Sequence, residues 1–259
     1  MTIKDYQEKI HSATTKYTYE TYKPLFIDYK TFLEARLEDN PKNVQAINQL
    51  AIIKYELVSN EDNSIMLLKN FLTSNAQDIA VEDKHLLLSN IGYFTIKESG
   101  LYEEGYQMYQ SLVADKTTLY PPYHVLGSRY LGLQNPTEVN YPKALQYYEK
   151  ASTLTTNKKV HFNYAVSLFY NNQFSKAKLV FETFTNDKNP YLKYVSRLYL
   201  TKIVGTPEAI LTTFSVSAYE LYEEYVDSIE IGNLLYNLDD FTNSILYYNL
   251  EIEGTVLDI

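Results

Sequence analysis

Residues 126–151 read LGSRYLGLQNPTEVNYPKALQYYEKA, and this stretch decides how the rest of the chain is interpreted. A small residue, Gly127, stands in its first half, and a second, Ala144, is followed four positions later by Tyr148. Residues three or four positions apart lie on one face of an α-helix. The segment therefore predicts two amphipathic helices, separated by the polar, proline-containing residues 132–140.

The same two-helix pattern recurs along the chain of 259 residues, most clearly over residues 91–112, 164–184 and 231–248. The small-residue position of the second helix recurs every 32 to 41 residues. Asp28 occupies it in the first unit, and the later units have Ser64, Gly105, Ala144, Ala177, Ala209 and Ser244. Four residues further on, six of seven units have an apolar or aromatic residue: Phe32, Leu68, Tyr109, Tyr148, Phe181 and Tyr248. A near-constant period of this length indicates stacked helical repeats.

This pattern resembles the tetratricopeptide repeat, in which a small–large pair on helix A precedes Gly-x-Tyr-x-x-Ala-x-x-x-Tyr-x-x-Ala on helix B. The segment 126–151 is more similar to the Sel1-like variant, because residues 131–140 lengthen the turn. The resemblance covers residues 20–252, and the unit 203–216 is degenerate. It implies an all-α, right-handed superhelical solenoid of antiparallel helix pairs, with about six to seven repeats. It also implies a concave groove and a role in protein–protein contact.

The predicted architecture is one repeat domain over residues 1–259, with residues 1–20 as a candidate N-terminal capping helix. We expect at least twelve helices and essentially no β-strand. Gly and Pro together account for only 16 residues, too few for the tight turns of a β-sandwich or barrel. Because Pro136 lacks a backbone donor and disfavours helix at the preceding residue, we expect residues 135–140 to form an extended loop within one hairpin.

The composition argues against several kinds of site. The chain has no cysteine, and its four histidines do not show metal-ligand spacing, so we expect no metal and no cofactor. Nucleotide-binding and hydrolase motifs are absent from the sequence, and we therefore expect a protein that is not an enzyme. The formal charge of −9 opposes nucleic-acid binding. No apolar run approaches the roughly 18 residues of a membrane span, so we expect no membrane binding and a cytoplasmic location.

The leading hypothesis is a non-catalytic module that binds a peptide or a folded protein in its groove. The acidic balance favours a partner with a basic or apolar surface. Two alternatives remain open: an immunity protein that neutralises a secreted toxin by direct binding, and an adaptor or regulator in a signalling complex.

The family's known clamp for acidic C-termini uses Lys, Arg and Asn side chains. The resemblance places the clamp positions at Asn48, Ile52, Ser89, Tyr93, His124, Ser128, Phe162, Val166, Ile229 and Asn233. This set is largely apolar and aromatic and contains no Lys or Arg pair, which argues against a carboxylate clamp.

The tyrosine content, 27 residues, provides the candidate contacts. Most tyrosines fall on core positions of the repeat pattern. Others fall where the resemblance implies that helix A faces the groove, and they serve as amphipathic anchors in many interfaces. The candidate partner-binding residues are Tyr55, Tyr93, Lys97, Ser128, Tyr170, Asn233 and Tyr236, with Ile96 beside them. Each tyrosine could instead fill the gap between adjacent hairpins, and that alternative stays open.

Overall fold

The computed structural model describes residues 1–14, 19–58, 61–97, 101–133 and 136–204. Within these residues it contains only helices, which confirms the all-α prediction. The α-helices are α1 (Ile3–Thr14), α2 (Tyr19–Asp39), α3 (Val44–Val58), α4 (Glu61–Asn75), α5 (Val81–Lys97), α6 (Tyr102–Ala114), α7 (Tyr120–Leu131), α8 (Tyr141–Leu154), α9 (Lys158–Tyr170), α10 (Phe174–Glu182) and α11 (Pro190–Val204). The expected count of at least twelve extends into residues 205–259, which lie outside the described residues.

The contacts divide the chain into two compact units, Met1–Leu126 and Gly127–Ile259. In the first unit, each helix from α1 to α5 packs against the next helix in sequence, ending with α5 against α6. In the second unit, α8 to α11 do the same. Short connections between successive helices produce the antiparallel pairs that the sequence predicted. None of the described helices is long and apolar enough to cross a membrane.

A small residue on the first helix of a pair faces a large side chain on the second. A Cβ added to Gly92 in α5 would lie 3.3 Å from the Tyr109 ring of α6. A Cβ added to Gly127 in α7 would lie only 2.9 Å from the Tyr148 ring of α8. These rings occupy the space that a side chain on the first helix would need. The equivalent residues of α3 and α9 are fully buried alanines, Ala51 and Ala165.

The small residue of the second helix also lies where there is little space for a side chain, because it packs directly against the first helix. A Cβ added to Gly105 would lie 2.5 Å from Ile96 Cγ1 and 2.9 Å from the Gly92 carbonyl oxygen. The Ser64 hydroxyl is buried and donates to the Ala51 carbonyl oxygen at 2.8 Å. From the second unit of the pattern onward, the other described members are also buried: Leu68, Tyr109, Ala144, Tyr148, Ala177 and Phe181. The repeat positions found in the sequence therefore form the core.

The first unit of the pattern replaces the small residue with Asp28. The Tyr6 hydroxyl of α1 donates to the Asp28 carboxylate at 2.6 Å. The Tyr6 ring also stacks on Tyr29, with the ring centroids 4.6 Å apart and the planes 17° from parallel. An aromatic side chain from α1 therefore joins α1 to α2 at this level.

The connection between α7 and α8 is a loop, as Pro136 predicted, but it is not extended throughout. Residues Pro136–Glu138 form one turn of 3₁₀-helix, whose Glu138 carboxylate accepts a hydrogen bond from Arg129. The backbone N–H of Asn140 donates to the Tyr130 carbonyl oxygen at 2.8 Å. The Asn140 side chain then caps the start of α8. These contacts fold the loop back onto α7. Asn135 lies outside the described residues.

Buried phenols make the folded state sensitive to alkaline pH. Burial raises the pKa of Tyr109 and of Tyr148 above the ordinary value of about 10. The hydrogen bond to Asp28, together with burial, raises the pKa of Tyr6 to about 12. A pKa that is higher in the folded than in the unfolded state stabilises the fold fully below the unfolded pKa. That stabilisation is lost as the pH rises through the folded pKa.

We therefore expect the urea midpoint of unfolding to be steady between about pH 8 and pH 9.5 and to fall above about pH 10. The urea midpoint of Tyr148→Phe should fall less steeply with pH than that of the parent, because the variant has one fewer buried phenol that ionises on unfolding. Tyr102→Phe is the matched control, since the Tyr102 side chain is 55% exposed. If the urea midpoints of Tyr148→Phe and the parent fall equally steeply with pH, this account is contradicted.

Candidate functional site

The candidate contacts that the structure describes fall into one group in each compact unit. The first group lies on α3 and α5 and consists of Tyr55, Tyr93 and Lys97. The second lies on α7 and α9 and consists of Ser128 and Tyr170. The other two candidates, Asn233 and Tyr236, lie outside the described residues.

Three aromatic rings meet where α3 and α5 contact each other in the first unit. The Tyr55 ring centroid lies 6.5 Å from that of Tyr93, with the planes 87° apart, and 5.2 Å from that of Phe94. Phe94 is 1% exposed, whereas Tyr93 is 42% exposed. The cluster therefore extends from the core to the solvent, and its buried members hold the exposed ring in place.

A lysine lies over the exposed ring of this cluster. The Lys97 ammonium nitrogen is 5.7 Å from the Tyr93 ring centroid, within the range of a cation–π interaction. Lys97 and Tyr93 are four residues apart on α5, so both side chains project from the same side of the helix. We name the surface of Tyr55, Tyr93 and Lys97 the aromatic–lysine surface. It combines an apolar ring, a phenol hydroxyl and a positive charge in one place.

Polar side chains join the two helices that carry this surface. The Asn90 side-chain amide of α5 donates to Asn48 Oδ1 of α3 at 2.6 Å, and Asn48 is only 4% exposed. The Tyr109 hydroxyl donates to the Ser89 carbonyl oxygen at 2.9 Å, which ties α5 to α6. Hydrogen bonds to buried groups are costly to break, so the first contact fixes α3 against α5 and the second fixes α5 against α6.

Ser128 lies in the core rather than on a partner-facing surface. Its hydroxyl oxygen is 2.7 Å from the Tyr148 hydroxyl oxygen, and the Asn163 side-chain amide donates to the same phenol at 3.0 Å. Ser128 is 7% exposed, so a partner has little access to it. The Ser128 hydroxyl therefore helps to hold the core tyrosine of α8, and partner binding by Ser128 stays a prediction.

Tyr170 fills a gap between helices of the second unit. Its ring stacks on Tyr141 of α8, with centroids 4.5 Å apart and planes 9° from parallel. It also forms a T-shaped contact with Tyr199 of α11 at a centroid distance of 6.4 Å. Burial raises the pKa of the Tyr170 phenol. The gap-filling alternative therefore describes Tyr170, whereas Tyr93 retains a solvent-exposed face.

A second aromatic–lysine contact was not predicted from the sequence. The rings of Tyr130 and Tyr147 are 5.8 Å apart and nearly parallel, and the Lys143 ammonium lies 4.9 Å from the Tyr130 ring centroid. One signal was present, because Lys143 and Tyr147 are four residues apart on a predicted helix. The position of Tyr130 opposite them depends on how α7 and α8 pack.

Two carboxylates with lowered pKa values, Asp78 and Asp187, belong to ion pairs. The Lys42 ammonium, 2.7 Å from Asp78, lowers the pKa of that carboxyl group. The Lys158 ammonium, 2.6 Å from Asp187, does the same there. Among the described residues, no group of three or more His, Asp or Glu side chains is arranged to hold a metal ion.

Comparison with known proteins identifies the fold. No protein-family model matches the chain, and no curated protein matches it significantly. A tetratricopeptide repeat protein from Parabacteroides merdae has a TM-score of 0.52 and 14% identity, covering 95% of this chain and 90% of that one. The C-terminal part of a TPR repeat-containing protein from Cytophaga hutchinsonii has a TM-score of 0.50 and 19% identity, covering 89% of this chain and 91% of that one. The chain therefore has a tetratricopeptide-like helical repeat fold, as the sequence pattern indicated.

The different surroundings of the two tyrosines give different expected effects on stability. Tyr170→Ala should lower the free energy of unfolding by about 2–4 kcal/mol, because it leaves a cavity beside Tyr141 and Tyr199. Tyr93→Ala should cost about 1 kcal/mol or less, because much of that ring already contacts solvent. Urea denaturation followed by circular dichroism measures both. Equal losses for the two variants would show that Tyr93 is as much a core residue as Tyr170.

Proposed function

We propose that this chain is a protein-interaction module and that its aromatic–lysine surface contacts the partner. The observation that carries the proposal is the 42% exposure of Tyr93 beside Phe94, which is 1% exposed. An aromatic side chain that is rigidly supported yet open to solvent has the properties of an interface anchor. The tetratricopeptide-like fold supports the same class of function, because it presents neighbouring first helices such as α3 and α5 as one surface.

The geometry favours a partner that covers the Tyr93 ring with an apolar or cationic side chain. The ring centroids of Tyr93 and Tyr55 are 6.5 Å apart with the planes 87° from parallel, so the two rings form a corner between two helices. A side chain in this corner contacts both rings. The chain's formal charge of −9 favours approach by a partner with a basic or apolar surface. A peptide and a folded protein both fit this description.

The immunity-protein and adaptor hypotheses concern the identity of the partner rather than the kind of contact. A secreted toxin bound at this surface would support the first. A component of a signalling complex bound there would support the second. Non-catalytic action and a cytoplasmic location are parts of the same proposal.

The test combines partner capture with a variant of the surface. The double variant Tyr93→Ala/Lys97→Ala removes the ring face and the charge while keeping the buried support of Phe94. We expect proteins that the parent captures from an extract of its source cells to be depleted at least about tenfold by this variant, since one anchor residue contributes roughly 1–2 kcal/mol or more. Mass spectrometry identifies the captured proteins, and calorimetry with the purified partner measures the loss of affinity.

The matched control is Tyr102→Ala/Lys69→Ala, which removes an exposed tyrosine and an exposed lysine from α6 and α4. This control should capture the same proteins as the parent, and circular dichroism should show parent-like helicity for both variants. If the Tyr93/Lys97 variant binds the purified partner as tightly as the parent does, the aromatic–lysine surface is not the interface.

A further inference from the structure

A groove of the first unit lies between α2, α3 and α4, apart from the aromatic–lysine surface. Its volume is about 450 Å³, within the roughly 300–1,000 Å³ that ligand pockets occupy. The lining side chains come from all three helices: Lys30, Lys54, Asn63, Met66, Leu67 and Asn70. We call this space the lysine groove.

The charge of the lysine groove is opposite to that of the chain. The chain carries 32 acidic against 23 basic residues, yet the lining side chains that the structure describes include two lysines and no carboxylate. One neighbouring carboxylate serves both lysines: Glu34 lies 3.0 Å from the Lys30 ammonium and 3.9 Å from that of Lys54. Among the side chains that the structure describes here, two positive charges therefore share one negative charge, which leaves a net positive charge.

The lysines are positioned to receive a second carboxylate. Their side chains are 35% and 34% exposed, so the ammonium groups are accessible while their stems are partly buried. An ammonium group has three N–H donors, so each lysine can bind Glu34 and a ligand oxygen together. Partial burial strengthens such contacts relative to fully exposed ion pairs.

The opposite wall of the groove, on α4, offers both polar and apolar contacts. Asn63, Met66, Leu67 and Asn70 recur at helical spacing and share one face of that helix. Met66 is 55% exposed, and its flexible thioether side chain can adapt to different apolar groups. Asn side chains can both donate to and accept from a peptide backbone. This wall suits a peptide better than a small inorganic anion.

We propose that the lysine groove binds an acidic peptide segment of a partner protein. An Asp or Glu side chain of the segment enters between Lys30 and Lys54. A neighbouring apolar side chain packs on Met66, and Asn70 hydrogen-bonds the peptide backbone. The site is separate from the aromatic–lysine surface, so the two contacts act on different parts of a partner. It also differs from the positions of the family's clamp, which in this chain contain no lysine pair.

The test uses a peptide blocked at both ends, so that only side-chain carboxylates carry charge. The probe is acetyl-Ala-Leu-Asp-Glu-Leu-Ala-amide, and its uncharged counterpart is acetyl-Ala-Leu-Asn-Gln-Leu-Ala-amide. Calorimetry with the full chain at about 50 mM salt, where screening is modest, measures both affinities. We expect the acidic probe to bind at least about tenfold more tightly than the uncharged one, since hydrogen bonds between ionised groups are the stronger class.

Two variants of the groove should change the affinity in opposite directions. Lys30→Gln/Lys54→Gln should weaken binding of the acidic probe at least about tenfold, because both ammonium groups are lost. Glu34→Gln should tighten binding at least about threefold, because the resident carboxylate no longer competes for them. The charge-matched control is Lys4→Gln/Lys9→Gln on α1, and it should leave the affinity within about twofold of the parent value.

Three results would overturn the proposal: no binding of the acidic probe at millimolar concentration, equal binding of both probes, or equal losses from the groove pair and the α1 pair. Circular dichroism verifies that each variant is folded. Tyr93→Ala/Lys97→Ala should bind the acidic probe like the parent, so failure of the lysine groove is distinguishable from failure of the aromatic–lysine surface.

Discussion

The close contact between a small residue on one helix and a large ring on its partner is the constraint on which the rest of the structure depends. At Gly127 a single added carbon would lie 2.9 Å from the Tyr148 ring, and at Gly92 it would lie 3.3 Å from the Tyr109 ring. Both rings are buried, and their hydroxyls hydrogen-bond within the core. The ring therefore sets the distance between the helices, and its hydroxyl fixes their register.

This constraint also determines what the first unit presents to solvent. Successive residues of an α-helix are rotated by about 100°, so the side of α5 that carries Gly92 against Tyr109 fixes the direction of Tyr93. Lys97, one turn further on, lies on the same side as Tyr93. On the neighbouring helices, Ser64 and Ala51 bring α3 and α4 close together, which places Lys54 of α3 beside the α4 wall of the lysine groove. The two proposed contacts are thus consequences of how the pairs pack.

The repeat period allowed the core residues to be predicted from the sequence. It was a poorer guide to which individual residues lie on the surface. Small residues such as Ala144 and Ala177 have one structural role, and that role follows from spacing alone. Ser128 and Tyr93 both occupy first-helix positions that the pattern assigned to the groove. Ser128 is nevertheless buried because its hydroxyl binds the Tyr148 phenol from another helix.

The environment of Tyr170 was equally hard to predict from sequence spacing. Its ring packs against Tyr141 and Tyr199, which are 29 residues away on either side. The lysine groove also joins residues from three helices, with Lys30 and Lys54 separated by 24 positions. Contacts of this kind depend on the tertiary packing of non-adjacent segments. A period in the sequence indicates which helices pair, but it does not determine which polar side chains meet across them.

A double-mutant cycle between Gly127 and Tyr148 tests the central constraint most directly. In the parent, Gly127→Ala should lower the free energy of unfolding by about 1–3 kcal/mol through overpacking, despite the better helix propensity of alanine. In a Tyr148→Leu background the same substitution should be neutral or stabilising, because the ring is no longer there to clash. Urea denaturation of all four proteins gives the coupling energy. A cost of Gly127→Ala that is the same in both backgrounds would contradict the account.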